Sequence, residues 1–313
     1  MTETHAGSLM AQFARPRSDT TTRFAVVADP HVATEAEGTS KLFEHTEAHF
    51  RAAVEDMAGR DLDAVLSPGD LTKDGEPWNY ETVDGILESL DVPFYAVPGN
   101  HDVRKDGDEH DTPSLDRFVE QYTPGSLPFR VDVGDVTVVG LNSSGSDDRL
   151  LDSHEGDVPD DQLDFLRDVL AEEENVFVLL HHNLPPTYDQ LRSHRDEVES
   201  EMAIPPVTRN TDALVDALSA GTDPVVLTGH LHLPAVATID GIREVMSPTT
   251  CSFPQSYLLF EVGPDGTEVR LIPVADITGM ELAHNVRGGD SVTSRGLTSI
   301  AAARLARFPL VDE

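Results

Sequence analysis

Cysteine, lysine and long apolar runs are all scarce in this sequence. Cys251 is the only cysteine in 313 residues, so no internal disulfide can form and no thiolate zinc cluster can be built. A chain of this kind fits a reducing interior, and the cytoplasm is the expected compartment. Lysine occurs only as Lys41, Lys73 and Lys105; the remaining basic residues are arginine. A bilayer span needs about 20 apolar residues. The longest apolar runs, such as Val176-Phe177-Val178-Leu179-Leu180, are strand-sized, so no membrane association is expected. Residues 1–22 carry Arg15 and Arg17 and no apolar signal core, and they read as a flexible N-terminal tail.

Positive charge is short overall. There are 57 acidic residues against 22 basic ones, a formal net charge of −35. Such a surface repels nucleic-acid backbones and anionic lipid, so neither is an expected partner. The acids are spread along the chain and form no block, which argues against an acidic interaction tail. They suit a protein of a very salty cytoplasm, a halophilic one, where the Debye length falls to about 3 Å at 1 M salt. A homodimer is allowed.

What is present is a rhythm of short apolar runs and helical patterns, which predicts an α/β fold. Strands are expected at 24–28, 63–66 and 94–97, with helices at 42–57 and 77–90 between them. The middle turns β-rich: 129–133 and 136–141 flank Gly134-Asp135, a hairpin signal. A helix at 160–170, a strand at 176–180, a helix at 211–219 and a strand at 225–228 follow. Three further strands are expected around 235–239, 257–262 and 269–272. The stretch 184–206 is polar and bounded by prolines, and reads as a loop able to cover a site. Residues 276–313 depart from the rhythm and read as an extension of unknown role, with a helix candidate near 299–307.

Five of the strands end in a polar cluster: Asp29-Pro30-His31, Gly69-Asp70, Gly99-Asn100-His101-Asp102, His181-His182 and Gly229-His230-Leu231-His232. Residues at the carboxyl ends of strands in an α/β sheet converge on one crevice. The donors are carboxylate, amide and imidazole, the set that suits divalent Mn, Fe or Zn. In extended chain, side chains two residues apart point the same way, so Asp29 and His31 can grip one ion and His230 and His232 can serve neighbouring ions. Each cluster alone has a plainer reading. A D-x-H triplet or a Gly-Asp pair is usually a turn, Asn100-His101-Asp102 could cap a helix, and one histidine of a pair is often a core residue. The conjunction, in this order and each time after an apolar strand, points to a metal site.

The series resembles the calcineurin-like metallophosphoesterase family over residues 23–275. Gly156, Gln162-Leu163 and Phe165-Leu166 also match a helix that precedes the strand-end histidine there. The resemblance implies a four-layer αββα sandwich of two mixed β-sheets flanked by helices. It implies two divalent metal ions (Mn²⁺, Fe²⁺/Fe³⁺ or Zn²⁺), the first held by Asp29, His31, Asp70 and His232, the second by Asp70, Asn100, His181 and His230. Asp70 would bridge them, and a hydroxide between the metals would attack phosphorus. His101 would hold the phosphate or protonate the leaving oxygen, oriented by Asp102. His181 rather than His182 would be the ligand, because consecutive side chains point to opposite sides.

Departures from relatives narrow the substrate. The run Gly69-Asp70-Leu71-Thr72-Lys73-Asp74-Gly75 lacks the arginine of protein Ser/Thr phosphatases, and Lys73 stands where purple acid phosphatases carry a tyrosine. The chain looks more similar to class III cyclic-nucleotide phosphodiesterases, although His182-Asn183-Leu184-Pro185-Pro186 displaces the usual proline. A small phosphate ester is the expected substrate and phosphodiester hydrolysis the expected reaction. A phosphomonoesterase, a nucleotide pyrophosphatase or a non-catalytic scaffold are the alternatives, the last disfavoured because every ligand position is intact. His45 and His49 lie four apart and read as a solvated helix face; His110 is a weaker candidate substrate contact. His154 and His194 read as surface loop residues, and Arg192 and Arg195 as partners of nearby acids.

Overall fold

A computed structural model describes residues 6–106, 110–152 and 154–313. The chain runs β1 (Ser8–Phe13), β2 (Thr22–Val26), α1 (Phe43–Ala58), β3 (Ala64–Ser67), α2 (Pro77–Leu87), β4 (Phe94–Ala96) and α3 (Leu115–Tyr122). It continues β5 (Phe129–Val133), β6 (Val136–Gly140), α4 (Asp160–Glu172), β7 (Val176–Leu179), α5 (Pro185–Glu197), α6 (Thr211–Leu218) and β8 (Val225–Thr228). It ends β9 (Ala235–Ile239), β10 (Ile242–Met246), β11 (Ser256–Gly263), β12 (Gly266–Pro273), α7 (Ile277–Asp290), α8 (Val292–Leu305) and β13 (Val311–Asp312). Two mixed sheets result, ordered β13-β1-β12-β11-β2-β3-β4 and β5-β6-β7-β8-β10-β9. Among the described residues no helix is long and apolar enough to cross a membrane.

The layers follow from strands that are apolar on both faces. In β2, Phe24 and Val26 enter the core between the sheets while Ala25 faces the helices outside. In β7, Phe177 and Leu179 face inward and Val176 and Val178 outward. Phe24 stacks on Phe260 at 4.9 Å and meets Phe177 edge-on at 5.0 Å, which locks the sheets together. Helices α1, α2 and α3 cover the first sheet through Phe50, Val83 and Phe118. Helices α4 and α6 cover the second through Leu166 and Leu214. The architecture is a four-layer αββα sandwich.

Three expectations change. Ser8–Phe13 is a strand of the first sheet, antiparallel to β12, with Met10, Ala11 and Phe13 fully buried. Those apolar side chains fill the space between the sheets, so residues 8–22 belong to the domain; residues 1–5 of the expected tail lie outside the described residues. The stretch from Pro185 forms helix α5, because a proline in the first helical turn has no amide hydrogen to lose. Residues 276–313 form α7 and α8, and then β13, which pairs in parallel with β1. Ala283, Ile300 and Ala301 of this extension pack with Tyr188 of α5 and with Leu231, Leu233 and Phe253 in a fourth apolar cluster.

Candidate metal centre

Strands β2, β3 and β4 are parallel neighbours in one sheet, and β7 and β8 in the other. Their carboxyl ends lie together, and backbone hydrogen bonds stitch the loops that follow. Asp29 N donates to Gly69 O, His31 N to Asp70 O, and Gly229 N to His181 O, at 3.0–3.1 Å. These loops are not extended strand. Asp29, His31, Asp70, His230 and His232 all have left-handed backbones, with φ between 44° and 70°. Each such residue costs about 1–3 kcal/mol unless its surroundings impose it. The two-residue step therefore aims side chains together through successive tight turns and not along extended chain. Gly69 and Gly99 pack backbone to backbone beneath Asp70, so closely that a Cβ at either position would overlap its neighbour.

Asp29, His31, Asp70 and His232 form one buried group of donors. His31 Nε2 stands 3.1 Å from His232 Nε2 and 3.4 Å from Asp70 Oδ2, and His232 Nε2 stands 3.4 Å from Asp29 Oδ1. A second group gathers on the other side of Asp70. His181 Nε2 lies 2.9 Å from Asn100 Oδ1 and 3.5 Å from Asp70 Oδ2, while His230 Nδ1 lies 3.1 Å from Asn100 Oδ1. Asp70 Oδ2 is thus common to both groups. Donors bonded to one ion at 2.0–2.2 Å stand about 3.0–3.5 Å apart, which is this spacing. Asp29 Oδ2 is buried without a hydrogen-bond partner among the described residues, as a carboxylate awaiting a cation would be. The donor set fits a pair of divalent ions.

Electrostatics favour the ligating protonation states. Burial, with neighbouring positive charge, holds His31, His182 and His230 well below the usual imidazole range. Burial opposes ionisation of Asp70, but His181, His101 and Lys41 outweigh it and keep the group a carboxylate. His232 runs the other way: burial lowers it, but Asp29 and Cys251 together raise it above the usual imidazole value. His181 Nδ1 contacts the Pro68 carbonyl at 2.8 Å, which turns Nε2 toward Asp70. His182 Nδ1 lies 2.8 Å from Ser143 Oγ and its ring 4.7 Å from that of His230, and it offers a ligand atom within 4.8 Å of those of His181 and His230 as a further donor of that group.

His101 stands at the mouth of the site, and its backbone N–H donates to Asp70 Oδ1 at 2.8 Å. The expected role of Asp102 is corrected. Its carboxylate accepts from Gly99 N, Leu71 N and Thr72 N at 3.0–3.1 Å and does not reach the His101 ring. Adjacent side chains diverge, so Asp102 ties two loops together beneath the site. Asp74 takes the other part, with Oδ1 3.2 Å from His101 Nδ1 and 2.8 Å from Lys105 Nζ. His110 contacts the Asp74 carbonyl. His154 lines the cavity, 5.9 Å from the His230 ring, and is no distant surface residue. His49 contacts Gln255, and Arg192 and Arg195 pair with Asp189 and Asp196.

The donors open into a cavity of about 330 Å³. Part of its wall comes from Ile204 and Pro205, within the 184–206 stretch expected to cover a site, and part from Thr293, Ser294 and Leu297 of α8, which no sequence motif marks. Arg287 of α7 is buried and donates to the carbonyls of Leu231, His232 and Phe253, so the C-terminal extension braces the Gly-His-x-His turn.

Comparison with known proteins agrees with this geometry. The profile of the calcineurin-like phosphoesterase family matches residues 22–234. The chain is 28% identical over 244 residues to the 3′,5′-cyclic adenosine monophosphate phosphodiesterase CpdA of Pseudomonas aeruginosa, covering 75% of this chain and 79% of that one. It is 24% identical over 230 residues to the CpdA of Haemophilus influenzae, covering 72% and 75%. Among solved structures, a dimetal phosphatase from Danio rerio shares the fold at TM-score 0.64 and 15% identity, over 82% of this chain and 98% of that one. The chain belongs to the calcineurin-like phosphoesterase family.

Proposed function

We propose that this phosphoesterase is a two-metal phosphodiesterase acting on cyclic nucleotides. The observation that carries the reading is the single Asp70 oxygen common to two donor groups, with His101 beside it. Asp29, His31, Asp70 and His232 would hold one divalent ion, and Asp70, Asn100, His181 and His230 the other. Ions bound there would supply an activated water and neutralise charge on the phosphoryl oxygens. The chain's own groups do the rest. The His101 N–H fixes the tilt of the Asp70 carboxylate. Asp74 holds His101 at Nδ1, so Nε2 would carry a proton for the leaving oxygen only in the imidazolium, the form that the Asp74 carboxylate favours. The CpdA relatives support the choice of cyclic nucleotides, and a cavity of about 330 Å³ suits a small ester rather than a phosphoprotein.

The test is turnover by Mn²⁺-reconstituted protein in molar KCl. The substrates are 3′,5′-cyclic AMP and GMP, bis-(p-nitrophenyl) phosphate, p-nitrophenyl phosphate and a nucleoside diphosphate. Cyclic nucleotides and the diester should be cleaved, with two metals per chain. Turnover confined to the monoester or the diphosphate would overturn the diesterase reading and keep the metal centre.

A further inference from the structure

Of the three lysines of this strongly acidic chain, Lys41 lines the cavity and Lys105 reaches the Asn100 carbonyl, while Lys73 is held by Glu76. Lys105 Nζ donates to Asp74 Oδ1 at 2.8 Å and to the Asn100 carbonyl at 2.9 Å. Lys73 Nζ meets Glu76 Oε1 at 3.1 Å. Arg287, which also lines the cavity, is engaged by backbone carbonyls. Lys41 differs. Among the described residues its ammonium pairs with no carboxylate and no carbonyl; its neighbours are His31 Nδ1 at 3.2 Å and His101 Nε2 at 3.5 Å. If His31 offers its Nε2 lone pair to a metal, its Nδ1 carries the hydrogen, and two donors face one another. The His31 Nδ1–H then needs an acceptor, and among the described residues the three hydrogens of the Lys41 ammonium face only His101 Nε2, at a long 3.5 Å.

The segment carrying Lys41 is built to hold it there. Leu42 is buried with Leu231 and Leu233, although its backbone is left-handed at φ 50°. That conformation is disfavoured for a leucine and persists where packing imposes it. Lys41 N donates to Thr39 Oγ1 at 3.2 Å, Phe43 N to Gly38 O at 3.2 Å, and Gly38 N to Glu44 Oε2 at 2.7 Å. The loop is closed on itself, with its lysine turned into the cavity.

We propose that Lys41 binds an anionic oxygen of the substrate phosphate on the His31–His101 side of the centre. It is the local cation that admits an anion into a chain of net charge −35. The inference rests on the phosphoesterase reading of the site but not on which ester is cleaved.

The experiment measures binding of inorganic phosphate to the metal-loaded protein by calorimetry, with metal content determined alongside, for wild type, Lys41→Met and Lys41→Arg. The expected result is a Kd at least tenfold weaker for Lys41→Met, unchanged metal content, and recovery to within a few-fold in Lys41→Arg. Unchanged phosphate affinity in Lys41→Met would overturn the proposal. So would loss of metal in both variants, which would make Lys41 a brace for His31, and so would failure of the wild type to bind phosphate. Should Lys41→Met not fold, Lys41→Gln serves in its place. A wild type that binds phosphate but cleaves no diester would defeat the diesterase reading and leave this inference standing.

Discussion

His101 Nδ1 lies 3.2 Å from Asp74 Oδ1, while the carboxylate of its sequence neighbour Asp102 is turned to backbone N–H groups below the site. Two acids thus divide the work expected of one. Asp74 can set the orientation of a proton-bearing imidazole. Asp102 joins the Gly69-Asp70 loop to the Gly99-Asn100 loop and so sets where their side chains stand.

For Asp102 the consequence is a stability effect. Burial and the charge of Asp70 push it up to about 7, against the pull of the backbone N–H groups of Gly99, Thr72 and Leu71. Asp102→Ala would strand those buried donors. The expected loss is roughly 3–5 kcal/mol, since each orphaned donor costs about 1–3 kcal/mol and neighbouring losses overlap. Urea unfolding of the two proteins at one salt concentration measures it. An unchanged midpoint would show that the loops hold without the carboxylate.

Glu244 gives a pH-dependent case away from the donors. It is buried between β8 and the start of α5, and accepts from Asn183, Leu184 N and Thr228 at Oε1 and from Thr187 at Oε2. Burial raises its pKa more than these bonds lower it. A raised acid favours the fold in its protonated form. Its contribution is full below the unfolded value of about 4.3 and is lost as pH rises through the folded one. Glu244→Gln removes the charge and keeps the Oε1 acceptor, and its NH2 faces the Thr187 hydroxyl, which can turn to accept. Its melting temperature should exceed that of wild type by a few degrees at pH 7.5, and the gain should vanish near pH 4. A constant difference across pH would count against the assignment.

The strand ends were legible because each buried run stops at a polar cluster, and carboxyl ends of parallel strands must converge. Asp74 was not. Its approach to His101 depends on the loop path through Gly75, which no periodicity encodes. Lys41 was hidden for the same reason, since it stands on a loop and follows no strand. Gly288-Gly289 look like a break, yet they sit in the last turn of α7, where glycine does little harm. The left-handed backbones of Asp29, His31, Asp70, His230 and His232 have no composition signal at all, because those residues are held by the loops around them.

Net charge sets a salt requirement. With 57 acids against 22 basic residues, self-repulsion loosens the compact state when unscreened. Screening to about 3 Å at 1 M salt removes most of it. The melting temperature should rise by several degrees or more between 0.1 M and 2 M KCl, most steeply at the low end. Calorimetry at the two concentrations decides, and a flat response would remove the halophilic reading.

His101 supplies the sharpest mechanistic test. Burial and the charge of Lys41 push it down to about 4, while Asp70 and the Asp74 contact pull it up, so the acid would be the minor imidazolium form, whose share grows as pH falls. A positioned acid contributes about 10²–10⁴-fold, and it matters most when the leaving alkoxide is poor. His101→Ala should therefore depress kcat/KM far more for ribose or alkyl esters than for p-nitrophenyl esters, with both metals retained. Asp74→Asn should give a milder copy of that pattern. It should also move the limb of the pH profile that reports His101 toward acid, because the carboxylate that favours the imidazolium is gone. Asp70→Ala should abolish every substrate together with metal binding. The measurement is kcat/KM for all three variants over a leaving-group series, with metal content checked in each. An equal loss across the series in His101→Ala would show that His101 only grips phosphate, and Asp74→Asn should then leave the pH profile in place.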